Sequence, residues 1–159
     1  MEPRRRRPPF KGYGVPETEE GMLPWEWAAE RLVAARNYWV ATTRPDGRPH
    51  AMPVWRIWLD GAFFFGSGRD SAKSRNLAAN PAIVVHLESG DETVILEGQA
   101  EPVLEDALER RVDEVYGPKY DFTPDSSGET DPWFVVRPKR AYVWTERGYP
   151  GTATQFDFE

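Results

Sequence analysis

The segment that most constrains this chain runs from Asn37 to Pro81, NYWVATTRPDGRPHAMPVWRIWLDGAFFFGSGRDSAKSRNLAANP. Asn37–Thr43 is aromatic and β-branched, which suits a pleated, half-buried strand. Pro45-Asp46-Gly47-Arg48-Pro49 carries turn chemistry, because Pro presets φ and Gly admits a positive one. A longer run, His50–Leu59, follows, then Asp60-Gly61, a two-residue hairpin signal, and the apolar run Ala62-Phe63-Phe64-Phe65. That strand ends at Gly66-Ser67-Gly68, and a helix starts at Asp70-Ser71, both good N-cap residues. Around the helix start lie Ser67, Arg69, Ser71, Lys73 and Arg75. Hydroxyls, cations and unpaired backbone N–H groups at a helix N-terminus make an anion site, most naturally for a phosphate.

The rest of the chain fits around this segment. Residues 1–20 hold Arg4-Arg5-Arg6-Arg7 between prolines and read as a disordered or extended arm on the surface. Pro24–Arg36 is expected to be a helix whose buried face is Trp25, Ala28, Leu32 and Ala35. Ile83–Leu87 and Thr93–Glu101 read as strands, with a bulge or bend at Gly98. Leu104–Tyr116 is expected to be helical, with Leu104, Leu108, Val112 and Val115 on one face. Asp121–Pro132 is an acidic Pro/Gly/Ser loop. Trp133–Val136 and Arg140–Glu146 read as two strands separated by Arg137-Pro138-Lys139, and residues 147–159 as a tail. The expected architecture is mainly β (α+β), a six- to seven-stranded antiparallel barrel over residues 21–146, closed or nearly closed, with flanking helices.

Composition bounds the function. The 159 residues suffice for one domain with a real core. No window reaches the ~20 apolar residues of a membrane span, and no apolar stretch follows the Arg run as a secretory signal requires. Without cysteine there are no disulfides, thiolate metal sites or cysteine nucleophiles. A cytoplasmic, soluble protein is the economical expectation. A net charge of −6 argues against general nucleic-acid affinity.

Several familiar motifs fail. Gly66-Ser67-Gly68 lacks the spacing of a Walker loop, and no GxSxG or HExxH occurs. His50 and His86 fall in separate strands without a third ligand, so they read as barrel or pocket side chains and no metal site is expected. Beside the anion site, Met52, Val54 and Trp55 offer a flat, soft surface suited to an aromatic ring system. Pro53 removes a ladder donor from that strand, implying a bulge or an edge where backbone groups are free for a ligand.

At these residues the sequence resembles the pyridoxamine 5′-phosphate oxidase-like, flavin- and deazaflavin-binding split β-barrel family. The resemblance covers about Trp25 to Trp144. It rests on VATTRPDGRPHAMPVW, FFFGSGRDSAKSRNLAANP, VILEGQAE and the closing VVRPKRAYVW. It implies that Ser67, Ser71 and Lys73 hold a cofactor phosphate, with Arg69 and Arg75 nearby. It further implies that Met52, Pro53 and Val54 run along the isoalloxazine or deazaflavin ring. A homodimer with cofactor clefts at the subunit interface is implied as well.

The basic substrate-phosphate signature of true pyridoxamine phosphate oxidases is missing, as is their longer C-terminal region, so pyridoxamine phosphate is not the expected substrate. No side chain is assigned a catalytic role, because the cofactor carries the hydride. The short chain and its RPDGRPHAMPVW and AKSRNLAANP segments look most like members using coenzyme F420. Its oligoglutamate tail wants cations, for which Arg48, Arg56 or the N-terminal Arg run are candidates. FMN is the alternative cofactor. A barrel that binds flavin or haem without turnover is the alternative function.

Overall fold

Five consecutive residues, Ala62 to Gly66, are buried, and the fold is arranged around them. The computed structural model describes residues 2–121 and 133–159. In chain order its elements are β1 (Arg4–Arg6), α1 (Trp25–Ala34), β2 (Tyr38–Thr43), β3 (Pro49–Val54), β4 (Ile57–Leu59), β5 (Ala62–Gly66), α2 (Ala72–Ala79), β6 (Ala82–Leu87), β7 (Glu92–Pro102), α3 (Asp106–Tyr120), β8 (Trp133–Thr145) and β9 (Thr154–Asp157). Side chains alternate across a strand, so Phe63 and Phe65 enter one core while Phe64 enters another. The first core is closed by Ala28 and Leu32 of α1, and the second by Val112 and Tyr120 of α3.

Every pairing is antiparallel, and the sheet follows the order β1-β9-β8-β7-β6-β2-β3. Strand β8 forks it: Trp133–Val136 pairs with β5, whereas Arg140–Val143 pairs with β9. Nine strands among the described residues replace the expected six or seven, and the sheet is not closed, because β1 and β3 end it. Pro53 sits on the edge strand β3, opposite Trp39, where a missing N–H costs the ladder least.

Two expected strands around Arg137-Pro138-Lys139 are in fact one, β8. The proline is accommodated by a register shift opposite Gly98: Glu97 faces Arg140 and Gly98 faces Pro138, leaving Lys139 as the extra residue. A Cβ on Gly98 would stand 2.9 Å from the Arg137 carbonyl oxygen and 3.1 Å from Val136 Cγ1, so only glycine fits the bulge. Conversely, the single run expected over His50–Leu59 is two strands, broken at Trp55-Arg56.

Helix α3 is shifted from its expected position. Leu104 precedes it and is exposed, Val115 is exposed, and the inward face is Leu108, Val112, Tyr116 and Tyr120 at i, i+4 spacing. The helix runs through Pro118 and ends where Asp121 turns left-handed, at φ 52°. The remainder of the expected acidic loop lies outside the described residues.

Both ends of the chain join the sheet. The stretch expected as a tail contributes β9, which buries Gln155 and Phe156. The Arg-rich arm contributes β1, with Arg4 opposite Asp157 and Arg6 opposite Gln155. Arg7 then ties the two ends together. Its guanidinium donates to the carbonyls of Thr18 (2.7 Å), Glu20 (2.6 Å), Gly151 (2.7 Å) and Ala153 (2.9 Å).

Replacing Arg7 by Ala should therefore cost about 1.5–3 kcal/mol, the range for hydrogen bonds from a charged donor. Arg7→Lys should not restore it, since an ammonium lacks the planar fork that reaches four carbonyls. Urea unfolding of both variants measures the loss. An Arg7→Lys chain as stable as wild type would contradict the clasp.

Candidate functional site

The turn after β5 leads directly into α2, and its hydroxyls organise the helix start. Ser71 is the N-cap: its extended backbone (φ −69°, ψ 155°) lets the hydroxyl accept from the Ser74 N–H at 3.2 Å. Ser67, fully inside, lies with its Oγ 2.6 Å from that of Ser71. Ser74 Oγ donates to the Gly68 carbonyl at 2.7 Å. The N–H groups of Ala72 and Lys73 remain beyond the reach of any intrahelical acceptor. Asn76, buried, donates to Thr42 Oγ1 at 3.0 Å and pins α2 onto β2.

Beside this helix start opens a groove of about 410 Å³, lined by Asn37, Pro53, Val54, Trp55, Arg56, Lys73 and Tyr116. Its lining contains two cations and no carboxylate. Lys73 is half-buried, and among the described residues it makes no ion pair or hydrogen bond. Burial holds its ammonium below the ordinary lysine range, and the charge of Arg56 adds to the effect. His50 feels the same field: burial lowers its pKa first, with Arg44 and Lys73 contributing. Its Nδ1 is enclosed without a hydrogen-bond partner. A desolvated cation with no counter-charge is costly unless a ligand supplies one. The groove therefore sets two cations and a helix N-terminus beside the apolar side chains of Pro53, Val54 and Trp55.

The residues singled out from sequence divide accordingly. Pro53, Val54 and Lys73 share the groove, and Ser67 and Ser71 touch one another at its helix. Met52 is 44% exposed on β3 and outside the lining. Arg69 and Arg75 are exposed and likewise outside it. Of the cations considered for an anionic tail, Arg56 alone lines the groove. Arg48 is held by Asp46 at 2.8 Å within its own turn, and the Arg run lies in β1, at the opposite end of the sheet order from β3. His86 stacks on Trp39 and donates from Nδ1 to the Leu87 carbonyl at 2.7 Å.

Sequence reasoning missed the groove's back wall. Tyr120 stacks on Trp55 with ring centroids 5.2 Å apart, while Arg36 lies 4.8 Å over Trp55. Tyr120 Oη accepts from the Arg56 N–H at 2.8 Å. Lys119 Nζ donates to Tyr38 Oη at 2.6 Å and to the Arg56 carbonyl at 3.0 Å. Burial lowers the Lys119 pKa to about 8 and raises that of Tyr120 to about 12. The only sequence signal was the i, i+4 pair Tyr116/Tyr120, hidden behind Gly117-Pro118.

The Lys119 shift fixes a pH dependence of stability. Between pH 8 and about 10.4 the unfolded lysine keeps its proton and the folded one loses it, so unfolding takes up a proton. The penalty for burying the ammonium is fully present below pH 8 and is relieved as pH rises towards the unfolded value. The stability of wild type relative to Lys119→Met should therefore climb across that window and stay flat below it, as urea titrations at several pH values would show. A flat difference throughout would refute the burial.

The architecture is of the split-barrel kind. A conserved hypothetical protein from Mycobacterium tuberculosis has the same fold at 25% identity, with a TM-score of 0.72 over 82% of this chain and 89% of its own. A structure named as an F420 reductase is 26% identical, with a TM-score of 0.57 over 70% of this chain and 94% of its own. Residues 26–145 match the sequence model of the pyridoxamine 5′-phosphate oxidase family, and the chain belongs to that family. A pyridoxine/pyridoxamine 5′-phosphate oxidase from Nitrobacter hamburgensis is 31% identical over 142 residues, or 84% of this chain and 56% of the relative. The chain thus spans little more than half the length of the curated relatives it matches.

Proposed function

We propose that this protein is an oxidoreductase that holds coenzyme F420 in the Lys73 groove for hydride transfer with a small organic acceptor, FMN being the alternative cofactor. The observation that carries the reading is Lys73 itself: a half-buried cation, lacking a carboxylate partner among the described residues, in the first turn of the helix that Ser71 caps. Family membership and the likeness to an F420 reductase support a redox cofactor over an arbitrary anion.

The parts are matched to the needs of such a ligand. Lys73, the unpaired N–H groups of α2 and the Ser67–Ser71 hydroxyl pair would fix a phosphate. Pro53 and Val54, on an edge strand with one side of its backbone unpaired, and Met52 beside them would border the ring. Arg56 is the cation placed for a polyanionic tail, and Arg69 and Arg75 add longer-range attraction from the same helix start. A bound flavin or deazaflavin supplies the hydride chemistry, so the chain needs to contribute only orientation, dryness and charge.

Lys73→Ala should leave the fold intact, because a helix position tolerates Ala well. It should weaken binding of the preferred cofactor roughly tenfold to a hundredfold, or about 1.5–3 kcal/mol. Parallel titrations with F420 and FMN should favour F420, more so with a longer glutamate tail and less so at high salt. An FMN preference would replace the cofactor while keeping the site. An unchanged dissociation constant in Lys73→Ala would discard the site. Tight binding with no turnover of any acceptor would favour a carrier or sensor barrel instead.

We also propose a homodimer. Met52 and Trp55 are 44% and 41% exposed beside an unpaired strand edge, a surface that a second copy would cover. Light scattering at micromolar concentration should give twice the chain mass, and a monomer would overturn the dimer.

A further inference from the structure

The break between β3 and β4 joins the groove wall to the barrel core through two residues of main chain. Trp55 and Arg56 occupy it, and neither belongs to a strand. Such a linker has no ladder to hold it, so its hydrogen bonds must come from elsewhere. They come from two consecutive residues of α3. Tyr120 Oη accepts from the Arg56 N–H at 2.8 Å and shares its own proton between the carbonyls of Arg56 (2.6 Å) and Arg36 (2.8 Å). Lys119 Nζ donates to the Arg56 carbonyl at 3.0 Å and to Tyr38 Oη at 2.6 Å, while Tyr38 donates onward to the Leu32 carbonyl at 2.5 Å.

We infer that Lys119 and Tyr120 are positioning residues for the groove: they clamp both polar groups of the Arg56 main chain and thereby set the Trp55–Arg56 wall against Lys73. Tyr120 supports the Trp55 ring from behind by stacking. With its backbone fixed, Arg56 projects a guanidinium that donates to the Trp55 carbonyl and to the Gly66 carbonyl at 2.5 Å. Gly66 is the last residue of β5 and precedes Ser67. One chain of contacts therefore runs from the last turn of α3, through Arg56, to the hydroxyl pair at the start of α2.

This inference rests on the groove being the cofactor site, and the test separates the two. FMN and F420 serve as probes, titrated against wild type, Lys73→Ala, Lys119→Met, Lys119→Arg and Tyr120→Phe, with thermal unfolding and amide hydrogen exchange on each. Lys119→Met keeps the side-chain length without the donor, and Tyr120→Phe keeps the ring stack without the hydroxyl. Each should weaken the better probe at least fivefold and speed exchange at the Arg56 amide, while exchange in β7 and β8 stays as in wild type. Lys119→Arg, which retains a donor, should recover most of the affinity. Should Tyr120→Phe fail to fold, Lys119→Met and its arginine rescue decide alone. Lys119→Met binding like wild type, with Lys73→Ala weakened, would overturn the clamp and leave the site standing. Lys73→Ala binding like wild type would overturn the site, and the clamp's role in it falls too.

Discussion

A strand buried on both faces cannot set its own register by hydrophobic pattern, because a one-residue slip exchanges one phenylalanine for another. That is the situation of β5, and the molecule depends on how it is resolved. The Asp60-Gly61 turn, with φ of 51° and 77° at its two residues, fixes one end. The pairing of Gly66 with Trp133 fixes the other. Between them, Phe64 is committed to the core under α3 and its neighbours to the core under α1. Losing any one of these three buried rings would cost about 3–5 kcal/mol, a large share of a small domain's stability. The same constraint delivers Ser67 to the α2 N-terminus, so the position of the candidate site is a by-product of core packing.

Electrostatics runs the other way. The protein is acidic overall, yet the groove lining is cationic. Lys73 and Lys119 are both half-buried, and burial is the leading cause of each shift. Their solutions differ. Lys119 is satisfied by a phenol and a carbonyl and serves the fold. Lys73 has neither among the described residues, so its burial goes uncompensated by any hydrogen bond or counter-charge there. Two lysines of similar burial thus differ in hydrogen-bonding inventory: one is a brace, the other an unpaired cation at the groove.

Much of this was legible in the chain, for local reasons. The Ser71 cap, the Asp60-Gly61 hairpin, the Gly98 bulge and the edge proline each declare themselves within a few residues, because turn and cap chemistry is local. The grouping of Pro53 and Val54 with Lys73, which share one groove, was implied by the family resemblance. What stayed hidden depends on contacts far apart in sequence. Lys119 and Tyr120 meet Arg56 across more than sixty residues, and Gly117-Pro118 reads as a helix stop although α3 continues through it. The terminal strands were hidden for a related reason. Four arginines between prolines have the composition of a solvated arm, and only β9 reveals them as a partner strand.

That outermost strand gives the arginines a part to play away from any ligand. Strand β9 covers one edge of β8, and β1 in turn covers β9, so the edge is protected in two nested layers. The exposed rim is then formed by three consecutive arginines, with Arg6 held to Asp157 at 2.6 Å. A second molecule approaching edge to edge would meet charged side chains, a device that disfavours continuous sheets. Shortening the chain from its N-terminus would expose the β9 edge, and shortening it from its C-terminus would expose β8 itself. The three arginines of β1 therefore set charged side chains along an edge that a shorter chain would leave as bare, unpaired backbone.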